Sequence, residues 1–290
     1  MSNLTTTLRM IKFEHTVFAL PFAMSGAWIA AAGLPPWTDL IAILIAAVCA
    51  RSAAMAYNRI SDLRFDASNP RTANRELVTG ALSVRYAVLF TVINSVLFLA
   101  AATWLSPLCG LLAIPVLGVL LGYSKLKRFG WFCHFGLGLA LGIAPAGAWL
   151  AVSKGFEGDW LAPLGIGLGV LLWVAGFDLL YSMQDIEHDR KEGLHSFPSR
   201  FGTDLTRIAS MVCYLLAVLA WAWVGQRLHA GSAYFLGLGL LAAILVAEHW
   251  LLRGERLHRV PVVFFRINAW VGVVYFVALW LDLSATTLEA

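Results

Sequence analysis

The sequence predicts an all-α membrane protein: about nine transmembrane helices in one bundle, with a cytoplasmic cap that carries two aspartate-rich strings. Three observations carry this expectation. Of 290 residues, 60% are hydrophobic and 13% charged, with a mean hydropathy of +0.76; a soluble domain has roughly 45–50% and 25%. The apolar residues gather in runs of about 18–23, enough to cross a ~30 Å hydrocarbon core at ~1.5 Å per residue. The connections between runs alternate between long, charged segments and very short ones.

The runs lie near 16–34, 38–57, 86–104, 106–123, 132–152, 160–182, 206–225, 232–252 and 262–282. The first is long enough to stay in the membrane and does not read as a cleaved signal. Glu14 and His15 stand just before it, where a carboxylate meets the positive end of a helix. The second ends in the first acidic string, and the third and fourth meet near residue 105. The fifth contains Pro145, expected to kink it and widen a cavity. The glycines at 136, 138 and 142 in the fifth run, and at 165, 167 and 169 in the sixth, follow no strand. They read as close helix packing and not as a dinucleotide loop. The sixth run holds Asp178 and leads into the second acidic string. The eighth ends at Glu248 and His249, within reach of Arg253. Cys49, Cys109, Cys133 and Cys213 form no CxxC pair and read as packed thiols. Some of the tryptophans suit interfacial belts and others an apolar chamber.

Residues 1–290 therefore read as one integral-membrane domain. Of 21 lysines and arginines, only Lys154 and Arg227 fall on the side of the short connections. The positive-inside rule then makes the long-loop side cytoplasmic, with the N-terminus inside and the C-terminus outside. The net charge of +4 does not point to nucleic acid, because the basic residues sit in membrane loops.

Both acidic strings fall on the cytoplasmic side. Asn58, Asp62 and Asp66 are spaced four apart, as are Asp185 and Asp189, which extend a stripe from Asp178 through Tyr181 or Ser182. On a helix such residues share one face, and like charges there repel. A magnesium-bound diphosphate between the strings would answer that repulsion, since magnesium takes carboxylate, phosphate and water oxygens. Arg71 and Arg75 follow the first string and suit phosphate oxygens. Between the strings, Tyr123 and Lys127 are again four apart and are followed by Arg128; on one helix face they could hold a diphosphate. A lysine and a tyrosine at an interface are also ordinary anchors. Asp178 lies within a span, where an acid is a functional candidate.

These strings resemble those of the UbiA superfamily of intramembrane aromatic prenyltransferases. Asn58, Asp62 and Asp66 are similar to that family's first aspartate motif, and Arg71 to Arg75 to the stretch after it. Asp178 and Tyr181 leading to Asp185 and Asp189 are similar to the second, and Tyr123 with Lys127 to the motif between. Arg59 and Glu76 stand where the family often has Asp and Pro. The resemblance implies magnesium held by Asn58, Asp62, Asp66, Asp185 and Asp189. It implies a polyprenyl diphosphate bound by Arg71, Arg75, Lys127 and Arg128, with the prenyl tail in an apolar tunnel open to membrane lipid. The acceptor would be an aromatic acid, its carboxylate on Arg51, Arg71 or Arg128. Asp178 or the departing pyrophosphate would take the ring proton. The opening from Ile11 to Phe22 resembles 4-hydroxybenzoate polyprenyltransferases, and similar sequences serve menaquinone synthesis with 1,4-dihydroxy-6-naphthoate; both acceptors stand open. Haem, homogentisate or tetrapyrrole acceptors are alternatives within the superfamily, and a transporter is the alternative outside it. The expected location is a bacterial-type inner membrane.

Overall fold

The computed structural model describes residues 3–13, 18–252 and 260–289. Among these, every regular element is helical. In chain order they are α1 (Asn3–Met10), α2 (Leu20–Ala31), α3 (Trp37–Ser61), α4 (Leu63–Ser68), α5 (Val84–Leu105), α6 (Pro107–Gly122), α7 (Cys133–Ser153), α8 (Leu161–Ser182), α9 (Ile186–Lys191), α10 (Phe197–Arg227), α11 (Ser232–Leu251) and α12 (Val260–Glu289). Among the described residues, eight helices are long and apolar enough to cross a membrane, and α2 is a shorter apolar helix. It stands where the first span was expected. That expected span begins among residues outside those described, as do Glu14 and His15. The protein is thus an all-helical, multi-pass membrane protein.

Local chemistry sets the turns. Ser83 and Ser106 cap α5 and α6 by accepting from Tyr86 N and Cys109 N, and Pro107 opens α6 where its missing N–H is not needed. A single residue therefore separates α5 from α6. α10 begins nine residues before the expected 206, because Phe197–Phe201 form an extra helical piece. Gly202, at φ +79°, then turns the chain into the long span.

In lipid, apolar surface alone does not drive helices together, so close packing of small residues must. The glycine stretches do this. A Cβ on Gly138 would strike the backbone of Leu171, and on Gly142 and Gly167 each would strike the other's carbonyl, so α7 and α8 touch backbone to backbone. Gly26 of α2 faces the Pro145 carbonyl in the same way, while Gly165 and Gly169 of α8 receive Trp223 and Trp221 of α10.

The bundle has two unlike halves. In one, α8, α10, α11 and α12 close on Trp173, Trp221, Tyr234 and Tyr275, with Phe22 of α2 among them. One buried carboxylate ties all four of these helices. Tyr214 Oη and Asn268 Nδ2 each donate to Glu248 at 3.0 Å, and Trp173 Nε1 donates to Asn268 Oδ1 at 3.0 Å. Glu248 thus has Tyr214 and Asn268 as partners; the expected contact with Arg253 lies outside the described residues. In the other half, α2, α3, α5, α6 and α7 surround an apolar cavity of about 550 Å³. The four cysteines are free, and three are buried. Trp37 and Trp104 are exposed near helix ends, while Trp149 and Trp160 line the cavity.

Gly167→Leu is expected to lower the thermal midpoint in detergent, in line with an overpacking cost of about 1–3 kcal/mol. Gly118→Ala, where nothing lies within 4 Å of the added carbon, is expected to leave it unchanged. Thermal unfolding of the two variants side by side checks this.

Candidate active site

The first acidic string does not run along one helix. α3 stops at Ser61, and Asp62 (φ −96°, ψ 5°) both ends it and opens α4. Asn58 Nδ2 donates to Asp62 Oδ2 at 3.0 Å across that break. Asp66 is buried, and Arg75 Nη1 donates to both its oxygens at 2.6 Å. Asp62 has the weakest cationic partner of the set, Arg128 Nη2 at 3.7 Å. Burial, and then the charge of Asp66, push its carboxyl up to about 6. Arg59, next to Asn58 on α3, is buried. It turns away to donate from Nε to Met10 O at 3.2 Å, at the end of α1, where a cation meets the helix's negative end.

The second string is broken too. α8 ends at Ser182, Met183–Asp185 form a 3₁₀ turn, and α9 follows. What joins the strings is the loop after α4. Asn69 Nδ2 donates to Asp185 Oδ1 at 2.9 Å, and Arg71 donates to Oδ1 at 3.0 Å and to Oδ2 at 2.5 Å. Arg71 also donates to Tyr181 Oη at 3.0 Å and lies over that ring. Burial works to lower the Arg71 guanidinium, but the Asp185 hydrogen bond and nearby charges leave it raised.

The third segment, Tyr123–Arg128, is a 3₁₀ helix. At about three residues per turn, positions four apart diverge. The expected shared face of Tyr123 and Lys127 therefore does not form. Lys127 Nζ reaches Asp189 Oδ1 at 2.6 Å, while Tyr123 lines the cavity. Asp189 is 0% exposed, and its other oxygen accepts from Ser196 Oγ at 2.6 Å. The segment docks on the first string: Lys125 lies over Tyr57, Arg128 lies over Phe65, and Arg128 donates to Ser61 O at 2.5 Å.

Asp178 sits apart from these clamps. Its Oδ2 lies 2.7 Å from His134 Nδ1, and His134 Nε2 accepts from Phe197 N at 3.2 Å. Tyr123 lies within electrostatic reach of Arg51, Asp62 and Asp178. Arg51 and Tyr123 therefore stand where the aspartate site meets the cavity. From there the cavity runs among α2, α3, α5, α6 and α7 to Phe156 and Trp160. Leu112, Phe156, Trp160 and Leu164 line it and are also exposed, so it reaches the outer face of the bundle.

The structure thus gathers Asn58, Asp62, Asp66, Arg71, Arg75, Lys127, Arg128, Tyr181, Asp185 and Asp189 into one charged site. Arg51 and Tyr123 mark its apolar exit. Among the described residues, no three His, Cys, Asp or Glu side chains converge on a metal position. The carboxylates lie instead against their own cations. Their hard-oxygen donors suit magnesium, and Asp62, short of positive charge, is the opening at which a cation fits. Sequence reading missed Asn69, Ser196 and His134 as parts of the site. Each is a single polar residue outside any repeated spacing, and no local pattern marks it.

A model described as the UbiA prenyltransferase family matches residues 19–270. A 4-hydroxybenzoate octaprenyltransferase of Saccharophagus degradans is 33% identical, covering 88% of this chain and 84% of that protein. One of Aromatoleum aromaticum is 30% identical, covering 98% and 96%. Among solved structures, the apo form of a UbiA homolog from Aeropyrum pernix K1 is 33% identical, with a TM-score of 0.85 over 93% of this chain and 98% of that one. A UbiA homolog from Archaeoglobus fulgidus, bound to DMAPP and Mg2+, is 19% identical; it shares the fold at a TM-score of 0.72 over 96% and 99%.

Lys127→Met leaves Asp189 without its cation, and the protein is expected to lose about 1–3 kcal/mol of stability. Lys127→Met with Asp189→Leu is expected to regain part of that loss, measured as thermal midpoints in detergent.

Proposed function

We propose that this chain, a prenyltransferase that belongs to the UbiA prenyltransferase family, transfers a polyprenyl group from its diphosphate to the ring of an aromatic acid in quinone synthesis. The observation that carries the reading is the position of the Asp185 clamp. Asn69 and Arg71 bring the first string's loop onto the second string, and the charged site so formed opens into an apolar cavity. An isoprenoid diphosphate joins a dense anion to a long apolar tail and so matches both parts of this site. The names of the relatives at 30% identity and above support 4-hydroxybenzoate as the acceptor, with 1,4-dihydroxy-6-naphthoate the acceptor for the menaquinone route.

Asp62, Asp66, Asp185 and Asp189, with Asn58, would hold magnesium, which when bound neutralises charge on the leaving diphosphate. Three of these carboxylates, Asp185, Asp66 and Asp189, are paired here with Arg71, Arg75 and Lys127. The same three cations would hold phosphate oxygens of the donor. The prenyl tail lies in the cavity, whose exposed lining lets a longer chain continue into lipid. Apolar walls keep water from the allylic carbon as its C–O bond opens, and the Tyr123 ring offers a π face to the developing positive charge. Arg51, Arg71 or Arg128 receives the acceptor's carboxylate. The ring carbon beside the phenolic hydroxyl attacks, and Asp178 takes its proton.

The site faces the cytoplasm in this reading, with the N-terminus inside and the C-terminus outside. Support comes from the distribution of basic residues: of 21 lysines and arginines, Lys154 and Arg227 alone fall on the side of the short connections.

The test is prenylation by purified protein in nanodiscs, with geranyl or longer polyprenyl diphosphate and each acceptor in turn. A prenylated product is expected with magnesium and none with EDTA. Asp62→Ala or Asp185→Ala should reduce turnover by about 10³-fold or more in a protein that still inserts. Unchanged turnover in either variant would remove these residues from the metal site.

A further inference from the structure

His134 is buried, at 2% exposure, at the start of α7. Its two ring nitrogens have different partners. Nε2 accepts the Phe197 N–H at 3.2 Å, so it carries no proton; Nδ1 therefore carries it and donates to Asp178 Oδ2 at 2.7 Å. The ring is fixed from three helices at once: its own α7, the start of α10 and the carboxylate of α8. Asp178 is thereby pinned by one oxygen. Its other oxygen, Oδ1, has no hydrogen bond to any described residue, and the side chain is 24% exposed. Tyr123 is within electrostatic reach of Asp178, and Leu137, one turn along α7 from His134, lines the cavity.

We propose that His134 is a positioning residue for the transfer, fixing the plane of the Asp178 carboxylate so that Oδ1 faces the acceptor ring. The proposal deepens the aromatic-prenylation reading and rests on it. In the step it serves, the ring carbon forms a bond to the allylic carbon and pyrophosphate leaves with the C–O electron pair. The ring C–H bond then breaks, its electrons restore the aromatic ring, and the proton passes to Asp178 Oδ1. His134 neither gains nor loses a proton. Its contacts also tie the two ends of the site together. Ser196, bonded to Asp189, and Phe197, bonded to His134, are consecutive residues at the start of α10. A shift of that helix start moves the ion-binding string and the proton acceptor together.

The test compares wild type with His134→Leu, His134→Gln, Asp178→Asn and the His134→Leu/Asp178→Asn pair in nanodiscs, with a thermal midpoint for each. Glutamine can turn an amide oxygen to Phe197 N and an amide N–H to Asp178, which reproduces both hydrogen bonds. His134→Leu is expected to lower kcat by about 10²-fold, the lower range for a positioned base, with donor KM within about two-fold. His134→Gln is expected to recover most of that loss, and the double variant to be no slower than Asp178→Asn, as for residues acting as a unit. If the leucine variant does not fold, His134→Asn, too short to span both partners, replaces it. A leucine variant as fast as wild type, a rise in donor KM alone, or losses that multiply in the double variant would overturn the proposal. An inactive wild type with both acceptors overturns the parent reading, and this one with it; an active wild type with unaffected His134 variants overturns this one alone.

Discussion

The structure depends on the need to match buried carboxylates beside an apolar phase. Asp66, Asp185 and Asp189 are nearly or wholly removed from solvent, and an unpaired charge in such a place is strongly unfavourable. Each is met by a cation from another element: Arg75, Arg71 and Lys127. These pairs dictate where the loops lie. Arg71 and Asn69 draw the segment after α4 across to α8, Lys127 draws the 3₁₀ turn to α9, and Arg128 holds that turn on the end of α3. The charge balance of the site is therefore also what holds these loops in place.

The two halves of the bundle divide the work. The α8–α12 half is filled with large aromatic side chains and locked by Glu248, Tyr214, Asn268 and Trp173. It is a rigid wall against which the second string is set. The other half is lined by small residues such as Ala23, Ala47, Ala113 and Ala144, which leave a cavity where bulky side chains would have filled it. α7 and α8 join the halves through backbone-to-backbone contacts at Gly138, Gly142 and Gly167.

Much of this was legible in the sequence, for identifiable reasons. Lipid enforces helices, so run length and hydropathy placed the spans closely. The paired aspartate spacings were informative because like charges four apart are otherwise unfavourable. Sequence alone was less reliable on local geometry. Periodicity assumed continuous helices, but Asp62 and Met183–Asp185 are breaks, and the 3₁₀ turn separates Tyr123 from Lys127. Such breaks arise where side-chain pairs across the site outweigh local helix propensity, and no local pattern encodes those pairs. His134 escaped for the same reason: its importance lies in Asp178 and Phe197, both distant in sequence.

The central claim is that one set of arginines and lysines serves the carboxylates at rest and the diphosphate when magnesium is present. Calorimetric titration of the purified protein with inorganic pyrophosphate, with and without magnesium, tests it most directly. The expected result is tight binding only with magnesium, with Asp185→Asn weakening it. Equally tight pyrophosphate binding without magnesium would contradict the claim, because the cations would then hold phosphate while the carboxylates went unmatched.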